Sequence, residues 1–204
     1  MTTARDLLFV ALDVAPVRAV ERGDLSLALA GAEAIDLLEG EVVRLRGDRL
    51  VPGYRPAIAD RLLDEAASSL VTQEPYESVG DWLWRRGRDL SAAYLAALEE
   101  EGQLTRQRRR RWMVFRTRER VLADSPARRE AAHRWTSDEP VLAALAEAAG
   151  IRDRRTDASE GVTGPEVSSV LTAVDEALAE LAVERQRRTR RRDQAAVDNV
   201  QRGY

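Results

Sequence analysis

The sequence predicts a mainly α-helical single domain of about eight to nine helices with one or two short β-hairpins. Apolar residues recur every three to four positions over much of the chain, which is the period of an amphipathic helix. Glycine or proline marks the start or end of several of these segments. The 204 residues are 44% hydrophobic and 33% charged, which is typical of a folded domain with a proper core.

The first part of the chain predicts two helices and a small hairpin. Residues 5–12 are short and apolar, which predicts a buried first helix. Residues 22–24 predict a turn from which Asp24 caps a central helix, and Gly40 ends that helix. Strand-forming residues on both sides of Gly47-Asp48 predict a short hairpin.

The rest of the chain predicts further helices around one more hairpin. We expect helices over residues 58–70, 90–101, 128–135 and 141–149, and a last helix that starts at Pro165. Leu104 and residues 112–115 bracket an arginine run, which predicts a β-hairpin with an Arg-rich turn. Residues 152–164 are polar and aperiodic, so they predict a loop. We expect one domain over residues 1–183 and an arginine-rich helical extension or tail over residues 184–204.

Charge is strongly segregated along the chain. Residues 104–120 carry a net charge of +7 and residues 185–192 carry +6, whereas the whole chain carries −3. The remainder therefore carries −16. Two basic patches on an acidic body favour an anionic partner, and solvated arginine-rich faces are the alternative. All 32 basic residues are arginine, which indicates GC-rich coding and an actinobacterial source.

The residue inventory argues against an enzyme. Cysteine is absent, so thiolate nucleophiles, disulfides and Cys-based zinc sites are excluded. The single histidine, His133, has no metal-ligand spacing around it, and no phosphate-binding glycine loop occurs. We expect no catalytic centre, no cofactor and no metal. The absence of a long apolar run favours a cytoplasmic protein, with any membrane contact peripheral on the inner face of the cell membrane.

An aromatic and basic cluster occupies seven consecutive positions. Its guanidinium groups could pair with the phosphate oxygens of a headgroup while an indole covers the headgroup ring. In the alternative interpretation both tryptophans pack into the core. The candidate headgroup-binding residues are Trp82, Trp84, Arg85, Arg86 and Arg88.

The second hairpin supplies charge next to an apolar stretch. Its tip could bind phosphate groups and place aromatic side chains at a bilayer interface. Alternatively, every second residue of the apolar stretch points into the core. The candidate membrane hairpin consists of Arg108, Arg109, Arg110, Arg111, Trp112, Met113, Val114 and Phe115.

Four blocks in order and at matching spacing resemble the Golgi phosphoprotein 3 family. They are LLFVAL at 7–12, LALAGAEAIDLLEGEVVRL at 27–45, LAALEEEGQLTRQRRRRWMVF at 95–115 and VLAALAEAAGI at 141–151. The resemblance implies a mainly helical fold with a hairpin and peripheral membrane association. In the eukaryotic members it also implies binding of phosphatidylinositol 4-phosphate.

The resemblance transfers the family's headgroup pocket only in part. Arg88 matches one of its two arginines on the helix before the GxL turn, whereas Ser91 stands at the second. Glu21 and Ala30 stand where the family has a tryptophan and another arginine. The implied partners are anionic phospholipid headgroups or a membrane surface, with a homo-oligomer through the hairpin or the C-terminal helix also open.

Two other classes of function stay open at this point. A helix over residues 91–101 followed by an Arg-rich hairpin is also the order of a winged-helix nucleic-acid binder, although residues 99–101 are all glutamate and would repel phosphate. The apolar seam from Val167 to Leu181 could instead bind a protein partner or a second copy of the chain.

Overall fold

The computed structural model of the chain describes residues 2–14, 20–109, 117–151 and 164–201. Within these ranges it has eight helices and two antiparallel hairpins, which confirms the predicted mainly α class. The helices are α1 Thr3–Val14, α2 Arg22–Glu39, α3 Arg61–Ser68, α4 Val79–Arg86, α5 Leu90–Glu100, α6 Pro126–Thr136, α7 Pro140–Ala148 and α8 Pro165–Gln201. No described helix is long and apolar enough to span a membrane.

The two hairpins stand apart as separate two-stranded sheets. Strands β1 (Val43–Arg46) and β2 (Arg49–Pro52) pair around Gly47, which adopts φ +65°. A positive φ is inexpensive for glycine, and this explains the residue type at the turn. Strands β3 (Leu104–Arg109) and β4 (Thr117–Leu122) form the second sheet.

Helix α2 is the centre of the fold, and α1, α4, α5, α7 and α8 all pack on it. Its continuous run of buried residues is rich in alanine and allows the neighbouring helices to approach closely. Gly31 shows how close this approach is, because a Cβ built on it would lie 2.4 Å from Cγ2 of Val174 on α8. Only glycine fits beside α8 at this point.

The start of α2 differs from the sequence prediction. The predicted turn at residues 22–24 is the first helical turn, with Glu21 at the N-cap position and Asp24 inside the helix. A Cβ on Gly23 would lie 2.7 Å from Nη2 of Arg185 and 3.0 Å from Cδ2 of Leu181. The glycine that suggested a turn therefore makes room for α8.

Helix α8 runs antiparallel to α2. Its Val174 faces Gly31, whereas Arg185, eleven residues later, faces Gly23 near the start of α2. The helix then continues past the bundle, and every side chain from Gln186 to Ala195 is exposed. The predicted start at Pro165 is confirmed.

Two other boundaries also moved. Helix α3 begins at Arg61, three residues later than predicted, because Asp60 caps it by accepting a 2.9 Å hydrogen bond from the backbone N–H of Leu63. The second hairpin is present, with Arg108 and Arg109 on its first strand and Thr117–Leu122 as its described second strand, whereas residues 112–115 lie outside the described residues. The predicted loop at 152–164 lies outside the described residues except for Gly164.

Candidate functional site

Trp82 belongs to the core and does not reach a surface ligand. Its side chain is fully buried, and its indole Nε1–H donates a 3.2 Å hydrogen bond to the backbone carbonyl of Ala30 on α2. The assignment of Trp82 to headgroup binding is therefore wrong, and the packing alternative is correct for this residue. Helix α4 places it there because Ser78 caps the helix one turn earlier.

Trp84 lies on the outer side of α4. It is 39% exposed, and its Nε1–H donates a 3.1 Å hydrogen bond to Oε2 of Glu180 on α8. The indole thus connects two helices at the surface and leaves part of its ring open to solvent.

Arg85 is held by a carboxylate. Its Nε and Nη2 lie 2.6 Å from the two carboxylate oxygens of Glu77, and Nη2 also donates to the carbonyl of Ser69 at 3.2 Å. The guanidinium carbon lies 5.1 Å from the ring centroid of Trp82, within range of a cation–π contact. The hydrogen bonds with Glu77 raise the pKa of Arg85.

Arg86 is tied into the core. Its Nε and Nη2 donate to the carboxylate of Glu33 at 2.7 and 2.9 Å, and Nη2 also donates to the carbonyl of Leu62 at 2.8 Å. Glu33 is fully buried and accepts a further 3.0 Å bond from the Tyr94 hydroxyl. Burial raises the pKa of Glu33, and the hydrogen bond from Arg86 opposes that shift. Arg86 therefore neutralises a buried carboxylate.

Arg88, like Arg85, is exposed, but it differs from Arg85 in its partners. It follows Gly87, the residue that ends α4, and precedes Asp89, which adopts φ +53° at the start of α5. Among the described residues the structure gives Arg88 no ion pair and no hydrogen bond through its guanidinium. It is thus the cation of the predicted cluster that a surface ligand can reach without breaking an existing pair.

The start of α5 lies directly against the start of α2. The Ser26 hydroxyl donates to Oγ of Ser91 at 2.8 Å, and the Ser91 hydroxyl donates to the carbonyl of Arg22 at 3.3 Å. These bonds place the exposed Arg22 at the same end of the bundle as Arg88. We call the surface formed by Arg22 and Arg88 the basic end.

Sequence reasoning missed Arg22 because the tripeptide 22–24 suggested a turn. The four-residue spacing of Leu25 and Leu29 did predict a helix that starts directly after this tripeptide. Neither α2 nor α5 has a side-chain N-cap bond in the structure. Two helix starts therefore add their partial positive charge to the same surface.

The local charges around the basic end nevertheless cancel. Asp24 accepts two hydrogen bonds from Nη1 of Arg185, at 2.7 and 2.9 Å, and two further carboxylates are exposed on the adjoining residues. The balance is three arginines, Arg22, Arg88 and Arg185, against three acids, Glu21, Asp24 and Asp89.

Two positions at which the sequence departs from the pocket implied by the resemblance, 30 and 91, are buried in the helix bundle. Ala30 is fully buried beneath Trp82, and Ser91 is 3% exposed and bonded to Ser26. Neither position presents a side chain to solvent. This end of the bundle therefore exposes Arg88 and Arg22 and no side chain from positions 30 and 91.

The second hairpin brings arginines opposite one another. The register pairs Arg106 with Arg120 and Arg108 with Arg118. Arg108 and Arg109 lie on β3 and not in the predicted turn, whereas residues 110–116, with Trp112 to Phe115, lie outside the described residues.

Helix α5 does not resemble a nucleic-acid recognition helix. Its inner face, with Ser91, Tyr94 and Leu98, is buried in the bundle. The exposed positions at its C-terminal half include Ala96 and Glu100, which offer phosphate neither a cation nor a polar donor. No group of three metal-ligating side chains occurs within the described ranges.

The fold and the site define a mainly helical domain with an Arg-rich hairpin and a basic end at the start of its central helix. The model of the Golgi phosphoprotein 3 (GPP34) family matches residues 4–188, and the chain belongs to this family. The comparison with curated proteins found no match.

Proposed function

We propose that this chain is a peripheral membrane protein that binds the headgroups of anionic phospholipids at its basic end, without catalysis. The proposal rests mainly on the position and exposure of Arg88. The sequence resemblance implies that this residue stands at one arginine position of the family's headgroup pocket, and its side chain is exposed with no ion-pair partner among the described residues. Arg22 extends the same surface.

The chemistry suits a phosphate group. Guanidinium N–H groups donate charge-assisted hydrogen bonds to phosphate oxygens in a fixed, planar geometry. The adjacent helix starts add backbone dipoles that favour a negative charge. Arg85 and Arg86 support this surface indirectly, because their ion pairs with Glu77 and Glu33 fix α4.

The hairpin is the second element of the proposal. Arg108 to Arg111 would contact phosphates, and Trp112 to Phe115 would enter the interface between headgroups and acyl chains. An indole suits that depth because it combines an apolar ring with one hydrogen-bond donor.

Co-sedimentation with vesicles tests the headgroup site. Vesicles of phosphatidylcholine alone are compared with vesicles that also contain phosphatidylglycerol. We expect Arg88→Gln to lower affinity for the anionic vesicles by roughly tenfold or more, as for the loss of charge-assisted hydrogen bonds. Arg46→Gln is the matched control, because Arg46 is exposed on β1, beside the start of α8 and away from the basic end.

Two results would overturn the proposal. One is equal binding to neutral and anionic vesicles. The other is an Arg88→Gln variant that binds as well as the Arg46→Gln variant.

We propose that recognition is driven by phosphate rather than by the inositol ring. The fully buried Ala30 and the nearly buried Ser91 leave fewer cations than the family pocket has. The water-soluble headgroups of phosphatidylinositol 4-phosphate and of phosphatidylglycerol, added as competitors, test this point. Strong preference for the inositol compound would contradict it and indicate a phosphoinositide site.

A further inference from the structure

The basic end has guanidinium groups that can bind a phosphate, but its net charge is zero. Its three arginines are balanced by three carboxylates, so it cannot attract a distant anionic surface by net charge. The surplus at this end of the molecule comes from α8 beyond its last contact with α2. We call residues 186–201 the α8 extension.

The extension is strongly basic and fully accessible in its first part. All side chains from Gln186 to Ala195 are exposed, and they include five arginines and one acid, Asp193. Arg188 pairs with Glu184 of its own helix at 3.0 Å. Among the described residues, the structure gives ion pairs to none of the other four, which are Arg187, Arg190, Arg191 and Arg192.

The extension starts at the basic end. Because α8 is antiparallel to α2, Arg185 reaches Asp24 in the first turn of α2, the turn that also contains Arg22. Arg187 follows within about 3 Å of helix rise, and Gln201 lies about 24 Å beyond Arg185 along the axis. The arginines therefore project from the same end of the bundle as Arg88.

The helical spacing spreads these arginines over a broad face. At 100° per residue, Arg187, Arg188 and Arg191 lie within about 100° of one another, and Arg190 and Arg192 flank them. Residues 184–194 contain no aliphatic or aromatic side chain. A helix without an apolar face binds a bilayer by charge and does not insert into it.

We propose that the α8 extension is an electrostatic contact that draws the basic end to an anionic bilayer, where Arg88 and Arg22 then bind headgroups. The inference rests on the proposed function, since it takes the anionic bilayer as the ligand. The family match ends at residue 188, so Arg190, Arg191 and Arg192 lie outside the matched domain.

A bilayer fits the arrangement better than a nucleic acid does. A flat anionic surface can contact the extension and the basic end together, since both lie at one end of the bundle. Beside the hairpin, Glu100 at the end of α5 and Glu101 after it pair with Arg61 and Arg5, so the described residues of this part of the surface offer a polyanion no unpaired cation.

A charge-neutral and a charge-conserving triple variant test the proposal. Arg187, Arg190 and Arg191 are replaced together by glutamine in one variant and by lysine in the other. Both residues keep the helix propensity of arginine, and circular dichroism confirms an unchanged helix content. The full chain is titrated with vesicles of phosphatidylcholine and phosphatidylglycerol, with Arg88→Gln measured in parallel.

We expect the glutamine variant to lose roughly a hundredfold in vesicle affinity, from about fivefold for each arginine near an anionic surface. The lysine variant should stay within a few-fold of the wild type. Affinity for the water-soluble headgroup should not change in the glutamine variant, because Arg88 and Arg22 are intact. Added salt should remove most of the difference between the variants.

The outcomes separate the two proposals. Wild-type vesicle affinity in the glutamine variant, together with weak binding by Arg88→Gln, overturns the role of the extension and leaves the headgroup site. Weak binding by the glutamine variant, with Arg88→Gln unaffected, overturns the headgroup site and supports the extension. Binding of duplex DNA is measured for the wild type and the glutamine variant. If the glutamine variant loses DNA binding but keeps its vesicle binding, the inference is overturned in favour of a nucleic acid.

Discussion

The guanidinium of Arg86 and the carboxylate of Glu33 form a two-pronged ion pair, with N–O distances of 2.7 and 2.9 Å, although Glu33 is fully buried. The pair joins α4 to α2 and therefore holds the helix that leads to Arg88. Removal of one partner leaves the other as an uncompensated buried charge.

We therefore expect Arg86→Met to lower the free energy of unfolding by about 3–5 kcal/mol. The double variant Glu33→Gln/Arg86→Met should lose less, because no buried charge is left without its counterion. Urea unfolding measures both, with Arg46→Met as a control that should cost under about 0.5 kcal/mol. A double variant less stable than Arg86→Met would contradict this account of the pair.

The close approach of α8 to α2 leads to a second prediction. Gly31→Ala places a methyl group against Val174, so it should cost about 1–3 kcal/mol despite the better helix propensity of alanine. Adding Val174→Ala should recover part of this cost as a coupling energy. Gly80→Ala on α4 is the control.

The nearest atom to a Cβ on Gly80 is 3.9 Å away, so Gly80→Ala should stabilise the protein by about 0.5–1 kcal/mol. Thermal and urea unfolding of these three variants and of Val174→Ala alone measures these effects. Equal changes in the free energy of unfolding for Gly31→Ala and Gly80→Ala would contradict the packing of α8 against Gly31.

Asp36 makes stability depend on pH. It accepts the backbone N–H groups of Thr3 and Ala4 at 2.9 and 3.3 Å, and burial raises its pKa to about 6. The unfolded chain titrates near 3.9. Between about pH 4 and pH 6 the folded state thus binds more protons at this group, and its contribution to stability falls as pH rises.

We expect wild type to lose about 2–3 kcal/mol relative to Asp36→Asn from about pH 4 to pH 7. Urea unfolding of both proteins across this range isolates the group, because the buried Asp6 and Glu33 are common to both. Parallel stability curves would exclude Asp36 as the titrating residue.

The two tryptophans of α4 should respond differently to substitution. Trp82→Phe replaces a fully buried indole with a smaller ring and removes its hydrogen bond to the Ala30 carbonyl, so it should cost about 2–4 kcal/mol. Trp84→Phe removes a surface bond to Glu180 and should change stability by under about 1 kcal/mol. Chemical denaturation with circular dichroism detection compares them, and equal costs would contradict the burial of Trp82.

Much of the fold could be predicted from the sequence. The period of the apolar residues and the glycines and prolines at segment ends located all the helices from α5 onward within a few residues, because these signals are local. The Gly47-Asp48 hairpin was also predicted correctly. Local signals wrongly predicted a turn at Gly23, because the glycine is required there by the close packing of α8, which is distant in the sequence.

The candidate site could be predicted only in part. The sequence showed that five aromatic and basic residues lie together from Trp82 to Arg88, and that two arginine-rich segments stand out from an acidic chain. It could not separate Trp82 from Trp84, since both suit the same helix and only the position of α2 decides which one is buried.

The sequence by itself thus determined the helical class, the family resemblance and the basic segments, since these depend on residue type and spacing along the chain. The tertiary structure decided which charges are available. Arg86 is neutralised by Glu33, 53 residues away, whereas Arg88 is exposed and the α8 extension projects from the same end. Pairing and burial are set by residues distant in the chain, and helix packing alone brings these together.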